Sequence, residues 1–226
     1  MTATGRRPAL PANLCAAIVD LDGTLVDTIG DFVVVLDRVL DELGLPRVTR
    51  AFVERTVGKG SEHLIRSTLA AVGASEGDAA LYDAAWARYQ RHYRVVNGEH
   101  SAVYPGVVEG LAALTARRWK LACLTNKPGA FAHALLRKKG LDGYFAAVFG
   151  GDAFERRKPD PLPLLKTCEA LGTLPARTLM IGDSSNDARA ARAAGCPVVL
   201  VSYGYNHGEP VAAVDADGVI DRLDQL

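Results

Sequence analysis

The strongest constraint on the fold is a series of short apolar segments that end at Gly, Asp, Asn or Ser and alternate with helical patterns. Their length and their content of Val, Ile and Leu predict strands. The strands are expected at residues 14–20, 120–125, 146–149, 178–183 and 198–202, and the helices between them at residues 107–117, 131–139, 161–171 and 188–194. Strand followed by helix, repeated, predicts parallel pairing with right-handed crossovers, and hence an α/β fold with a doubly wound, Rossmann-like parallel sheet.

The interval from residue 28 to residue 98 interrupts this alternation. It contains no strand pattern, and its amphipathic helical stretches lie at residues 31–43, 61–72 and 78–96. A helical insertion of this length after the first strand exceeds an ordinary crossover. We therefore predict a small helical cap domain at residues 28–98 and a core domain formed by residues 1–27 and 99–226, with hinges near residues 27–29 and 98–106.

The charge balance limits the possible partners. Twenty-six Lys and Arg residues balance twenty-six Asp and Glu residues, so no broad electrostatic field favours nucleic acid or an anionic membrane. The apolar runs are far shorter than the roughly 20 residues that cross a bilayer, and the N-terminal pattern does not resemble a signal peptide. The four cysteines are widely spaced and form no C-x-x-C pair. We expect a cytoplasmic protein, monomeric or homodimeric, whose partner is a small molecule.

Acidic and polar residues follow the predicted strands, at the edge where open parallel sheets bind ligands. They are Asp20, Asp22, Gly23 and Thr24 after the first strand, Thr125 and Asn126 after the second, Lys158 before the helix that leads into the fourth, and Asp183 and Asp187 after the fourth. Because the carboxyl ends of parallel strands meet at the same edge, we expect these residues to converge on one crevice.

Four carboxylates facing one ammonium group predict a bound cation. Neighbouring like charges a few ångströms apart cost about 4 kcal/mol per pair at an effective dielectric constant near 20, so the carboxylates need neutralisation. The donors are hard oxygen atoms, and no His or Cys cluster accompanies them in the sequence. This donor set favours Mg²⁺ over zinc. With Mg²⁺ and Lys158, an acidic crevice would bind an anion.

The polar residues around the carboxylates suit a phosphate group. Thr125 can donate its hydroxyl group, and the turn that begins at Asn126 leads into a helix whose first N–H groups favour an anion. Gly23 and Thr24 offer backbone donors after the first strand, and Lys158 offers its ammonium group. Phosphoryl transfer depends mainly on positioning and on stabilising the charge of the phosphoryl oxygens, which these groups would provide.

The Asp-x-Asp spacing allows the two aspartates different tasks. The turn that begins at Gly23 can direct Asp20 toward phosphorus and Asp22 toward the leaving oxygen. Asp20 would form an aspartyl-phosphate, which divides hydrolysis into two displacements. Asp22 would protonate the leaving oxygen and then accept a proton from the attacking water.

The chain resembles the haloacid dehalogenase-like phosphatase superfamily through four motifs in chain order. They are DLDGTLVD at residues 20–27, TN at 125–126, KPDP at 158–161 and GDSSND at 182–187. The resemblance implies that Asp20 is the nucleophile and Asp22 the acid/base. It also implies that the Asp20 side chain, the Asp22 backbone carbonyl and Asp183 bind Mg²⁺ with support from Asp187, and that the helical insertion belongs to the small cap subclass.

Two segments are most similar to bacterial phosphoglycolate phosphatases. They are KPDPLPLLKTCEALG at residues 158–172 and VSYGYNHGEP at residues 201–210. This similarity implies a phosphatase that hydrolyses 2-phosphoglycolate to glycolate and inorganic phosphate. The segment FERR at residues 154–157 departs from the pattern and has no role that the resemblance implies.

Other functions stay open at this stage. A broad-specificity sugar-phosphate phosphatase or a phosphomutase would use the same chemistry, and a non-catalytic phosphate-binding or regulatory protein would keep the fold alone. A dehalogenase is disfavoured because cleavage of a carbon–halogen bond does not use an acid at Asp22.

The predicted cap contains candidates for substrate specificity near the start of its second helical stretch. They are Lys59, His63 and Arg66. These residues could reach a substrate carboxylate, or they could form a solvated helix start. The aromatic stripe of Trp86, Tyr89 and Tyr93 has helical spacing and is expected in the cap core.

Overall fold

The structure is a computed structural model that describes residues 10–75 and 77–226. The strands in this part of the chain are β1 (Ala16–Val19), β2 (Val26–Asp27), β3 (Ala102–Val103), β4 (Lys120–Leu124), β5 (Ala147–Phe149), β6 (Thr178–Gly182), β7 (Val198–Val201) and β8 (Gly218–Ile220). Six of them form a parallel sheet in the order β5-β4-β1-β6-β7-β8. The predicted α/β fold with a doubly wound parallel sheet is confirmed.

Strand β1 lies at the centre of the sheet. Its four residues, Ala-Ala-Ile-Val, are fully buried, as expected for a parallel strand that is covered on both faces. Its last residue, Val19, pairs with Cys123 of β4 on one side and with Ile181 of β6 on the other. The polar residues that follow these three strands therefore meet at one edge of the sheet.

Helices cover both faces of the sheet. The helices in the described residues are α1 (Ile29–Glu42), α2 (Arg50–Thr56), α3 (Ser61–Ala71), α4 (Ala79–Val96), α5 (Val107–Ala116), α6 (Gly129–Lys138), α7 (Leu162–Leu171) and α8 (Ser185–Ala194). One face packs against α5 and α6 through residues such as Leu111 and Leu135, and the other packs against α7 and α8 through Leu164 and Ala191. Within residues 10–75 and 77–226, no helix combines the length and the apolarity that crossing a membrane requires.

Helices α1 to α4 follow β2 and precede β3, and they supply most of a third hydrophobic cluster, which Phe131 of α6 completes. Strands β2 and β3 pair antiparallel, Val26 with Val103 and Asp27 with Ala102, so the chain enters and leaves this helical segment at one place. Neither strand was predicted, because two residues are too few to show a period. The short elements α2 and β8 were missed for the same reason.

Stacked aromatic rings form the centre of the helical segment. Tyr82, Trp86, Tyr89 and Tyr93 follow one another along α4, with ring centroids 5.2 to 6.2 Å apart. Tyr93 also stacks on Phe32 of α1 at 5.3 Å. Tyr89 and Tyr93 are fully buried, and Trp86 packs against the same cluster. The prediction that this stripe forms a core is confirmed.

Candidate active site

Asp20 is the first residue after the central strand β1. Its Oδ1 accepts a hydrogen bond from the Leu21 N–H at 2.7 Å and lies 2.9 Å from Lys158 Nζ. Burial raises the pKa of Asp20 to about 7, although the Lys158 ammonium opposes the increase. The predicted nucleophile is therefore buried and in contact with a cation.

Asp20, Asp183 and Asp187 form a buried acidic cluster. One carboxylate oxygen of each residue lies within 4.8 Å of those of the other two. Burial raises the pKa of Asp183 well above its usual value, and the charges of Asp187 and Asp20 add to this increase. Among the described residues, the ammonium group that contacts the cluster is that of Lys158. Three carboxyl groups thus face one ammonium group, and the cluster is short of positive charge.

Lys158 is fixed by contacts on all sides of its ammonium group. Nζ donates to Asp187 Oδ1 at 2.7 Å and to the Leu124 carbonyl at 2.9 Å, in addition to its contact with Asp20. Burial lowers the pKa of Lys158, but the charges of Asp187 and Asp20 outweigh burial and raise the pKa above its ordinary value. Because a lysine has three N–H donors, these contacts use all of them.

Asp187 is held in place by the first turn of α8. Its Oδ2 accepts hydrogen bonds from the Asp183 N–H at 3.2 Å, the Ser184 N–H at 3.1 Å and the Ser184 hydroxyl at 2.9 Å. Ser184 and Asp187 form a reciprocal capping box at this helix start. A Cβ at Gly182 would lie 2.3 Å from Asp187 Cγ, so the close approach requires glycine there.

The turn after β1 brings Gly23 against the acidic cluster. Gly23 has a φ of 84°, and a Cβ at this position would lie 2.4 Å from Asp183 Oδ2. The Gly23 N–H donates to the Val26 carbonyl at 2.9 Å, and the Thr24 N–H donates to the Leu21 carbonyl at 3.3 Å. These two N–H groups, predicted as donors to phosphate, are used within the tight turn instead.

Thr125 and Asn126 follow β4, next to β1. Thr125 Oγ1 accepts a hydrogen bond from the backbone N–H two residues later at 3.2 Å. Both polar atoms of the Asn126 side chain form hydrogen bonds. Oδ1 accepts a hydrogen bond from the Lys158 N–H at 3.0 Å. Nδ2 donates to the carbonyls of Lys158 and Gly58, each at 2.9 Å. Asn126 therefore orients Lys158 and contacts the helical segment, whereas the sequence predicted that it would contact phosphate.

Lys127 is a site residue that the sequence analysis did not identify. Its side chain is 1% exposed, and its Nζ donates to Asp22 Oδ1 at 2.8 Å and to Tyr93 Oη at 2.5 Å. The ammonium group also lies 4.7 Å from the centroid of the Phe32 ring. The sequence signal was its place directly after the TN motif, but a single lysine is usually solvated.

The segment at residues 203–208 contacts the acidic cluster from the far end of the chain. The Tyr205 N–H donates to Asp183 Oδ2 at 2.7 Å, and the Tyr205 hydroxyl donates to Asp27 Oδ1 at 2.8 Å. The same hydroxyl accepts from the Thr28 N–H at 2.8 Å. The tail motif, to which the sequence assigned no role, thus joins Asp183 to the junction between β2 and α1.

A small, partly open cavity lies between the sheet edge and the helical segment. The sheet side contributes Asp20, Asp22, Thr125, Asn126 and Lys127, and the helical side contributes Phe32, Val57, Gly58, Gly60, Ser61 and Leu64. The predicted nucleophile and the predicted acid/base therefore line one cavity together with residues of the helical segment.

The candidate specificity residues Lys59, His63 and Arg66 are not among the residues that line this cavity. Lys59 and His63 are exposed. Arg66 lies 4.0 Å from the centroid of the Tyr82 ring and 3.8 Å from Glu62. The position of His63 and Arg66 follows from helical spacing, because the buried face of α3 is formed by other residues, including Leu64, Ile65 and Leu69, whereas Lys59 lies before the helix.

Known proteins resemble this chain in sequence and in structure. A family model for haloacid dehalogenase-like hydrolases matches residues 17–201. A phosphoglycolate phosphatase of Thiobacillus denitrificans is 44% identical over 215 residues, which is 95% of each chain. One of Nitrosospira multiformis is 42% identical over 213 residues, or 94% of each chain. A crystal structure described as a predicted phosphoglycolate phosphatase of Haemophilus somnus 129PT has a TM-score of 0.89 at 30% identity, covering 94% of this chain and 96% of that one.

The match extends over most of the chain and includes the motifs that close β1, β4 and β6. The predicted superfamily and the predicted enzyme class, a phosphatase, are confirmed by these relatives. The chain belongs to the haloacid dehalogenase-like hydrolase family.

Proposed function

We propose that this chain is a Mg²⁺-dependent phosphatase that hydrolyses 2-phosphoglycolate to glycolate and inorganic phosphate. The observation that carries the proposal is the buried cluster of Asp20, Asp183 and Asp187, which includes the contacts of Lys158 with Asp20 and Asp187 and lies beside a cavity. The choice of substrate is supported by the names of the relatives that align over nearly the whole chain.

The acidic cluster fits Mg²⁺ because it offers several hard oxygen donors and is short of positive charge. The Asp20 and Asp183 carboxylates and the Asp22 backbone carbonyl would hold the ion, and Asp187 would support them through Lys158. When bound, Mg²⁺ would neutralise the carboxylates and polarise the phosphoryl group of the substrate.

Asp20 acts as the nucleophile in the proposed reaction. The Leu21 N–H and Lys158 hold its Oδ1, which leaves Oδ2 to attack phosphorus. The bond from Oδ2 to phosphorus forms as the bond from phosphorus to the glycolate oxygen breaks, and the product on the protein is an aspartyl-phosphate. The Lys158 ammonium beside Asp20 and the Thr125 hydroxyl contribute positive charge and a donor for the phosphoryl oxygens.

Asp22 transfers the proton in both steps. It donates a proton to the leaving oxygen of glycolate, and it then accepts a proton from the water that attacks the aspartyl-phosphate. Hydrolysis releases inorganic phosphate and returns Asp20 to its starting form. Lys127 contacts Asp22 through Oδ1, so this contact leaves Oδ2 for the proton transfer.

The helical segment at residues 28–98 is proposed to act as a cap on the core formed by residues 1–27 and 99–226. Support comes from the cavity, because Gly58, Gly60 and Ser61 line it opposite Asp20 and Asp22. A cap in this position would exclude bulk water during the reaction and would limit the size of the substrate.

We place the proposed activity in the cytoplasm and assign a small phosphate ester as the partner. The four cysteines are free thiols, and Cys123, Cys168 and Cys196 are buried. Free, buried thiols are typical of proteins in a reducing compartment.

Phosphate release from a substrate panel tests the proposal. The purified protein is incubated with 2-phosphoglycolate, glucose 6-phosphate and glycerol 3-phosphate, each in Mg²⁺ and in EDTA. We expect the highest kcat/KM with 2-phosphoglycolate and loss of activity in EDTA. Equal rates with the sugar phosphates would replace the specific substrate by a broad range, and no phosphate release in Mg²⁺ would contradict a catalytic function.

A further inference from the structure

A substrate with both a phosphate and a carboxylate needs two sources of positive charge in the cavity. Lys158 cannot supply both, because its three N–H donors contact Asp20, Asp187 and the Leu124 carbonyl. Among the described residues that line the cavity, the cation is Lys127, whereas Lys158 lies behind Asp20.

Lys127 has a donor to spare. Its ammonium group donates to Asp22 Oδ1 and to the Tyr93 hydroxyl, so two of its three N–H groups are used. Its side chain is almost fully buried, and it enters the cavity wall from the core side. A charged donor in a site with little water attracts an anion more strongly than a solvated lysine does.

The surroundings of Lys127 also suit a small anion. Helix α3 begins at Ser61 beside the same cavity, and the N–H groups of its first turn carry partial positive charge. Phe32 and Leu64 supply apolar walls that keep water from competing for the ammonium group. The exposed cations of the helical segment, Lys59 and Arg66, do not line this space.

We propose that Lys127 binds the carboxylate of the substrate and thereby determines the preference for a phosphorylated carboxylic acid. This inference rests on the proposed function, since it assigns the second anionic group of the same substrate. Lys127 and Asp20 line one small cavity, so the carboxylate and the phosphate are separated by a short chain. The specificity residue therefore comes from the core, directly after the TN motif, and not from the cap.

Two substrates that differ only in the carboxylate test the proposal. In 2-hydroxyethyl phosphate, a neutral CH₂OH group replaces the carboxylate of 2-phosphoglycolate. Lys127→Gln removes the charge but retains a hydrogen-bond donor, and Lys127→Met removes both. We expect either variant to lower kcat/KM for 2-phosphoglycolate roughly 10- to 100-fold more than kcat/KM for 2-hydroxyethyl phosphate, with the additional loss mainly in KM. A loss that the two substrates share reports the broken contact with Asp22.

The matched control is Lys166→Met, which removes an exposed lysine of α7 that pairs with Glu169. It should leave the ratio of the two kcat/KM values unchanged. Thermal unfolding of each variant identifies loss of folding, and Lys127→Gln decides the question if Lys127→Met does not fold.

Several outcomes would overturn the assignment of Lys127. Equal losses on both substrates would mean that Lys127 acts through Asp22 rather than on the carboxylate. A selective loss in Lys59→Met, with none in Lys127→Gln, would move the carboxylate site to the cap. A wild-type protein that is inactive on 2-phosphoglycolate would contradict the proposed function itself, whereas an active wild type with an unchanged ratio in Lys127→Gln contradicts only this inference.

Discussion

The sheet edge and the helical segment contribute to the proposed active site in different ways. At the sheet edge, the buried ammonium group of Lys158 contacts the buried carboxylates of Asp20 and Asp187. The helical segment contributes apolar surface and backbone groups, such as the Gly58 carbonyl, which accepts hydrogen bonds from the core. The charged side chains that line the cavity or contact Asp20 therefore come from the sheet edge, whereas the helical segment forms the opposite wall of the cavity.

This difference has an energetic consequence. Removal of one charged partner at the sheet edge leaves another buried charge without compensation, which costs several kcal/mol. Removal of one contact between the two regions leaves neighbouring contacts in place, and a single hydrogen bond contributes about 0.5–1.5 kcal/mol. We expect substitutions at the sheet edge to have large effects and substitutions at the contact with the helical segment to have small ones.

The largest effect is expected for Asp20→Asn. An amide cannot serve as the nucleophile, so we expect turnover of 2-phosphoglycolate to fall by about 10⁴-fold or more. Folding should be retained, because asparagine has the shape of aspartate and the variant places less negative charge beside Asp183 and Asp187. Steady-state phosphate release measures the first effect, and circular dichroism with thermal unfolding measures the second.

Asp142→Asn is the matched control for this substitution. Asp142 is an exposed residue in the part of the chain assigned to the core domain. Asp142→Asn should therefore change neither the turnover rate nor the free energy of unfolding. Turnover of Asp20→Asn within about tenfold of the wild type would remove Asp20 from the role of nucleophile.

The next largest effect is expected for Lys158→Met. The substitution leaves Asp20 and Asp187 buried without their ammonium partner, so the free energy of unfolding should fall by about 3–5 kcal/mol in EDTA. Added Mg²⁺ should recover part of this loss by supplying positive charge to the same carboxylates. Urea denaturation, with and without Mg²⁺, measures both effects.

The control for Lys158→Met is Lys166→Met, which removes the lysine of a solvent-exposed ion pair with Glu169. Exposed pairs contribute about 0–1 kcal/mol, and this variant should not respond to Mg²⁺ differently from the wild type. Equal destabilisation in the two lysine variants would contradict the claim that the sheet edge depends on buried charge compensation.

The pH dependence of stability tests the same charge imbalance without changing Lys158. The pKa of Asp20 is raised from 3.8 to about 7 in the folded protein. The folded state therefore binds more protons than the unfolded state between these values, so this contribution to stability is present at low pH and is lost as pH rises to about 7. In EDTA, we expect Asp20 to make the free energy of unfolding fall between about pH 4 and pH 7.

Two measurements separate this contribution from the other titrating groups. Asp20→Asn should show a shallower fall than the wild type in EDTA, because it lacks the titrating carboxyl group. Mg²⁺ should stabilise the wild type more at the upper end of this range than at the lower end, because metal binding requires deprotonated ligands. Parallel pH profiles for the two proteins in EDTA would contradict the assignment to Asp20.

The sheet edge was more predictable from sequence than the helical segment. Asp20, Asp183 and Lys158 were placed together because strand periodicity and the carboxyl-end rule depend only on the order of residues along the chain. The α/β sheet was predictable for the same reason. The rings of α4 were assigned to a core from their helical spacing, which is also a local pattern.

The features that were missed depend on contacts between distant parts of the chain. Burial of Lys127 requires Asp22 and Tyr93 to meet it from two regions, and no local pattern encodes that meeting. The pairing of β2 with β3 involves two residues from each strand, and the Gly58 carbonyl has no side chain that could signal its role. Residue identity predicted chemistry, whereas backbone contacts and cavity shape required the three-dimensional structure.

The smallest effect on kcat/KM is expected for substitutions at the contact between the core and the helical segment. The Gly58 carbonyl accepts hydrogen bonds from Asn126 Nδ2 at 2.9 Å and from Asn186 Nδ2 at 3.3 Å. Because the shorter contact remains in Asn186→Ala, we expect kcat/KM to fall by about two- to fivefold, which corresponds to about 0.5–1 kcal/mol. Asn126→Ala should cost more, since Asn126 also holds the backbone of Lys158 on both sides.

Steady-state kinetics of the two asparagine variants distinguish a contact that closes the cavity from one that supports the chemistry. Asn186→Ala should mainly raise KM, because it removes one hydrogen bond between the core and the helical segment. The buried charges keep their partners in this variant. Asn126→Ala should lower kcat as well, because the backbone of Lys158 loses both of its contacts with the amide. If Asn186→Ala lowered kcat as much as Asn126→Ala, the Gly58 contact itself would support the chemistry, and the division between the sheet edge and the helical segment would not hold.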